Sequence, residues 1–142
     1  MPAQPSTESV TPASELDIKS ILLIDDDTEL ADTLKTLLEA HNFIVTTVSN
    51  GADALHEILD FDFDVILCDL LMPAMPGDMF YLAVQKTKPH LAERFIFITG
   101  HAGNPRVDAF LRRADALCVF KPVEIEELIE TISLVLQRDD PR

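Results

Sequence analysis

Val65-Ile66-Leu67-Cys68-Asp69-Leu70-Leu71-Met72-Pro73 decides how the rest of the chain is read. An apolar run enters a single carboxylate, and a proline-containing loop follows at once. A run of this length bounded by turn signals suits a strand buried on both faces, as in a parallel sheet. Pro73, and Pro76 after it, prevent the strand from continuing, so Asp69 is expected at its carboxyl end. In open α/β sheets that edge is where ligands bind.

Working outward, Ile21-Leu22-Leu23-Ile24 reads as a first buried strand ending in Asp25-Asp26-Asp27. Leu30, Leu34, Leu37 and Leu38 recur at helical spacing, predicting a helix over about 28–40 with Asp27 as its N-cap. Phe43 to Val48 is a second strand, broken by Asn50-Gly51. Ala54, Leu55, Ile58 and Leu59 mark a second helix. After Gly77 comes a helix carrying Phe80, Leu82, Ala83 and Val84. Phe95 to Gly100 is a fourth strand, and Asn104-Pro105 a helix start whose inner face is Val107, Phe110 and Leu111. Leu117 to Phe120 is a fifth strand running into Lys121-Pro122. A last helix buries Ile125, Leu128, Ile129, Ile132 and Leu136.

Five alternations of strand and helix imply a parallel sheet covered on both faces. The expected fold is α/β: a flavodoxin-like (βα)5 three-layer sandwich with a five-stranded sheet in the order 2-1-3-4-5. Residues 18–138 make one domain. Residues 1–17, rich in Pro, Ser and Thr, are expected to be a flexible tail or linker, residues 139–142 form a C-terminal tail, and no second domain is expected.

The net charge of −14 argues against a basic nucleic-acid interface and against contact with an anionic membrane surface. That charge serves solubility, or gathers acids into a cation site. With no Trp and one Tyr there is no aromatic platform for single strands. No apolar run approaches the roughly 18 residues of a membrane span, and Met1 to Ser14 lacks a signal-peptide core. Cys68 and Cys118 lie in apolar strands without metal spacing and read as reduced thiols of a cytoplasmic protein.

In a parallel sheet all strands end on one edge, and those ends supply Asp25, Asp26, Asp69, Thr99 and Lys121. Strands one and three are neighbours in this order, so the three carboxylates should meet. They cannot all stay ionised without a cation or a raised pKa. A hard ion with oxygen ligands, Mg²⁺ with Mn²⁺ as an alternative, fits that set. Thr99 and Lys121 complete a site for a phosphoryl group, and Asp69 is the candidate nucleophile for an aspartyl-phosphate. Taken singly each residue has a plainer role: Asp27 a cap, Asp25 a cap or strand end, Lys121-Pro122 a turn, Thr99 a structural hydroxyl. Found together at four strand ends, they point to a site. His41, His56 and His90 read as surface residues, and His101 borders the site.

With these motifs in order, the chain resembles the response regulator receiver domain family over roughly residues 18–138. Asp25-Asp26-Asp27 is similar to its acidic cluster. Asp69 to Gly77 is similar to its phosphoacceptor signature, and Thr99-Gly100 and Lys121-Pro122 to its switch hydroxyl and lysine. The resemblance implies a phosphorelay receiver in which Asp69 accepts a phosphoryl group from a histidine kinase or a histidine phosphotransfer protein. Asp26, Asp69 and the backbone carbonyl of Leu71 would bind the metal, with Asp25 through water or as a further ligand. Lys121 would pair with a phosphoryl oxygen. Thr99 would shift towards it and change the surface of helix 4, strand 5 and helix 5, which also implies a homodimer interface. Leu71 and His101 would tune dephosphorylation, and the Lys121–Pro122 bond would be cis. The implied protein is no enzyme beyond its own phosphotransfer and dephosphorylation.

In one respect the chain departs from the family. Cys118 stands where the family usually places Tyr or Phe, so the usual aromatic arm of the switch is missing. Phe97 to Arg106, with Cys118 to Pro122, is also similar to receiver modules of hybrid histidine kinases, so a stand-alone regulator and such a module both fit. Asp25-x-Asp27 is shared with haloacid-dehalogenase-like phosphatases, where Asp25 would be nucleophile and Asp27 acid/base, with Thr99 and Lys121 as further motifs. Glu29, the missing second acidic pair after Lys121 and the short chain count against that. A phosphorylation-independent interaction module is disfavoured because the acid, hydroxyl and lysine set is complete.

Overall fold

The structure, a computed structural model, describes residues 18–72, 75–100 and 103–138. The two tails expected at 1–17 and 139–142 lie outside the described residues, as do Pro73 and His101. The elements run β1 (Ser20–Ile24), α1 (Thr28–Ala40), β2 (Ile44–Val48), α2 (Gly51–Asp60), β3 (Val65–Asp69), α3 (Gly77–Thr87), α4 (Pro89–Ala92), β4 (Phe95–Thr99), α5 (Pro105–Ala114), β5 (Leu117–Phe120) and α6 (Ile125–Arg138). The strands form one parallel sheet in the order β2-β1-β3-β4-β5, as expected.

β3 is central and all five of its residues are buried. Ile66 and Cys68 point into a cluster with Ala54, Ile58, Phe80, Val84, Phe97 and Phe110, under α2, α3 and α5. Val65 and Leu67 point the other way, to Leu34, Leu38, Leu128 and Ile132 of α1 and α6. A strand with both faces covered has no room for polar alternation, which is why it reads as a continuous apolar run. Tyr81 meets Phe95, Phe97 and Phe110 edge-on at centroid distances of 5.1, 5.6 and 5.6 Å, tying α3 and α5 to β4.

Helix boundaries follow local chemistry. Asp27 accepts a hydrogen bond from the Leu30 N–H at 3.1 Å and caps α1. Asn50 caps α2 through the Asp53 N–H. Asn104 accepts from Arg106 and Val107 at the start of α5, with Pro105 in the first turn.

Some inner faces differ from the expected ones. On α3, Phe80, Tyr81 and Val84 are buried and Leu82 is 48% exposed, because 80, 84 and the flanking 81 share the stripe over β4. Leu37 and Leu59 lie on the outer faces of their helices. On α6 the deepest residues are Leu128, Ile132 and Val135, an i, i+4, i+7 series, with Leu136 at its margin. The one-turn helix α4 was not anticipated; Pro89 at its first position favours it.

Candidate phosphoacceptor and metal site

The sheet order brings the carboxyl ends of β1 and β3 side by side, with Ile24 paired to Cys68. Asp25 and Asp69, one residue further on, therefore face each other across the edge. Asp25 is 1% exposed and Asp69 5%, whereas Asp26 is exposed. One oxygen from each of Asp25, Asp26 and Asp69 lies within 4.8 Å of the other two.

Each buried carboxylate is oriented by the backbone beside it. The Asp27 N–H donates to Asp25 Oδ1 at 2.9 Å, and the Leu71 N–H donates to Asp69 Oδ1 at 3.2 Å. The remaining oxygens turn towards Lys121, whose Nζ lies 3.4 Å from Asp25 Oδ2 and 3.4 Å from Asp69 Oδ2. Lys121 is placed by the β4–β5 ladder: its N–H donates to the Thr99 carbonyl at 2.9 Å. Thr99 ends β4 and is fully buried. The Lys121–Pro122 bond is cis, as expected.

Burial pushes the Asp69 carboxyl up to about 6, and the Asp25 carboxylate beside it adds to the rise. Lys121 and the Leu71 amide pull the other way without cancelling it. Burial by itself would lower the Lys121 ammonium, but Asp69 and Asp25 outweigh it and raise the group above its ordinary value. One ammonium faces three carboxylates, so the site holds more negative charge than its own lysine balances. Asp25 Oδ2 is buried with no hydrogen bond and only the 3.4 Å ion pair with Lys121. A buried oxygen so weakly satisfied, with two further carboxylate oxygens nearby, fits a hard divalent cation.

Every side chain expected at the edge is there, and Asp27 is occupied as the cap of α1. That arrangement speaks against a phosphatase site at Asp25, because the would-be acid/base residue Asp27 is engaged as a helix cap.

Two features of the rim were not foreseen. Gly77, the first residue of α3, packs so closely that a Cβ there would lie 2.3 Å from the Asp69 carbonyl oxygen and 2.8 Å from Leu70 Cα. Its N–H donates to the Leu70 carbonyl at 2.8 Å. The Asp-to-Gly spacing in the sequence hinted at this approach. Next to it, Asp78 pairs with Arg106 of α5, whose Nη2 lies 3.1 and 2.9 Å from the two carboxylate oxygens. Nothing local in the sequence links residues 28 positions apart.

Comparison with known proteins bears on the family and the fold. The family described as response regulator receiver domain matches residues 21–133. The response regulator receiver protein CpdR of Brucella abortus (strain 2308) is 33% identical over 122 residues, covering 84% of this chain and 98% of that protein. Sensor kinase CckA of the same organism is 30% identical over 127 residues, covering 85% of this chain but only 13% of the kinase. The crystal structure of the response regulator protein TrrA of Thermotoga maritima, in complex with Mg²⁺-BeF, superposes with a TM-score of 0.74 at 27% identity, covering 84% of this chain and all of that one (100%). The chain belongs to the response regulator receiver domain family.

Proposed function

We propose that this receiver accepts a phosphoryl group on Asp69 from a phosphohistidine of a histidine kinase or a histidine phosphotransfer protein. The observation that carries the reading is Asp69 itself: a buried carboxylate at a strand end, 3.4 Å from the Lys121 ammonium and grouped with the oxygens of Asp25 and Asp26. A carboxylate oxygen of Asp69 attacks phosphorus, and the new P–O bond forms as the P–N bond to the donor imidazole breaks. The electron pair of that bond stays on the imidazole nitrogen, which takes up a proton. Lys121 holds a phosphoryl oxygen, and the Thr99 hydroxyl donates to another.

Asp25, Asp26, Asp69 and the Leu71 carbonyl would hold Mg²⁺, or Mn²⁺ in its place. When bound, the ion offsets the carboxylate charge and the charge on the phosphoryl oxygens. The complex of the Thermotoga relative with Mg²⁺-BeF supports this assignment.

The face of α5, β5 and α6 carries the signal onward, to a partner or to a second copy of the chain. No enzymatic activity is assigned beyond self-catalysed phosphotransfer and dephosphorylation. The setting is a two-component phosphorelay in the cytoplasm, and among the described residues no helix is long and apolar enough to cross a membrane. CpdR and CckA support the two forms in which such a domain works, alone and as part of a kinase. Incubation with acetyl phosphate and Mg²⁺, then borohydride trapping and peptide mapping, should place the label on Asp69. Label on Asp25 would overturn the assignment.

A further inference from the structure

We propose that the Asp78–Arg106 ion pair is the link that carries the state of Asp69 to α5, with both residues acting as positioning residues. The inference rests on the proposed phosphorylation of Asp69.

Two routes join Asp69 to α5. One runs through β4 to Thr99 and along the connecting loop into the helix. That loop is bounded by Gly100 and Gly103; Gly103 has φ +86°, and a Cβ there would meet nothing within 4 Å. At the helix end of that route, Gly103 therefore offers no packed contact where a side chain would stand. The other route is a chain of direct contacts. Gly77 is packed against the Asp69–Leu70 backbone more tightly than any side chain permits, and hydrogen-bonded to it. Asp78 is the next residue, and its carboxylate is held by the Met79 N–H at 3.0 Å as well as by Arg106. Arg106 in turn sits in the first turn of α5, its N–H bonded to the Asn104 cap at 2.9 Å. Beneath the pair, Leu70, Val107 and Phe110 belong to one buried cluster with Leu71 packed against it, so the segment after Asp69 and the first turns of α5 are packed as well as bridged. Coupling travels through contiguous packed and charge-paired groups, and this route is made of them.

The test compares wild type with R106A, D78A and the swapped D78R/R106D, each with Mg²⁺ and beryllofluoride, by amide NMR. Acetyl phosphate labelling of Asp69 is measured in parallel. All four proteins should label at Asp69, and Leu70 and Leu71 should respond alike in all. The response of Val107 to Ala114 should fall by about two- to fivefold in each single variant, the range a partly exposed charge pair allows, and recover in the swap. An α5 response unchanged in R106A, or lost there and not restored by the swap, would overturn the link. A wild type that takes no label at Asp69 would instead sink the phosphoacceptor reading beneath it.

Discussion

The Asp69 carboxyl, raised to about 6 by burial and by Asp25, makes the site expensive to fold when no cation is bound. Its folded pKa lies above the ordinary carboxylate value. Between about pH 4 and pH 6 the folded protein therefore keeps a proton that the unfolded chain has lost. Stability falls as pH rises through that window, and above it the full penalty of about 2–3 kcal/mol is in place. Asp69→Asn removes the penalty with almost no change of shape. In EDTA at pH 7.5, urea denaturation should show the variant more stable by up to that amount, and the advantage should vanish near pH 4. A variant no more stable than wild type at pH 7.5 would mean that Asp69 is not strained by its neighbours. Cys118 titrates in the other direction from a reactive thiol: burial first, then Asp108 and Glu127, push it up to about 11. Its alkylation by iodoacetamide at pH 8 should be at least about a hundredfold slower than that of a free thiol.

Among the elements, α3 is the one whose start is bound most closely to the site. Gly77→Ala would place a methyl group against the Asp69 carbonyl and Leu70 Cα, both backbone atoms that cannot rotate away. The helix must lift from β3, at about 1–3 kcal/mol, and Asp69 must move with it. Lower thermal stability together with slower Asp69 labelling is the expected pair of results; loss of stability with labelling untouched would separate α3 from the acceptor. Most of the helices were legible in the sequence because their caps and periodicity are local, as at Asp27, Asn50 and Asn104. Which apolar residue faces inward was less legible. Leu82 and Tyr81 are neighbours on α3, and side-chain hydrophobicity ranks the aliphatic one higher. The aromatic cluster of Phe95, Phe97 and Phe110 lies on the side of Tyr81, so Tyr81 is buried and Leu82 exposed.

The whole molecule is a sheet whose carboxyl edge concentrates charge, and cation binding there should be linked to global stability. At pH 7.5, millimolar Mg²⁺ should raise the urea midpoint of wild type, because only the folded chain gathers the three carboxylates. The same addition should move the Asp25→Asn/Asp26→Asn double variant much less. Equal shifts in both proteins would show that the ion acts elsewhere.

The sequence by itself determined the order of strands and helices, the parallel sheet and the set of residues at its edge. These follow from apolar runs, caps and breakers, each readable within a few residues of chain. The tertiary structure alone decided that Lys121 stands equally far from Asp25 and Asp69, and that Asp25 keeps one oxygen without a hydrogen bond. It alone placed Gly77 against the Asp69 backbone and Asp78 against Arg106. Those relations join residues far apart in the chain. They are set by how neighbouring strands and helices pack, and no local pattern records them.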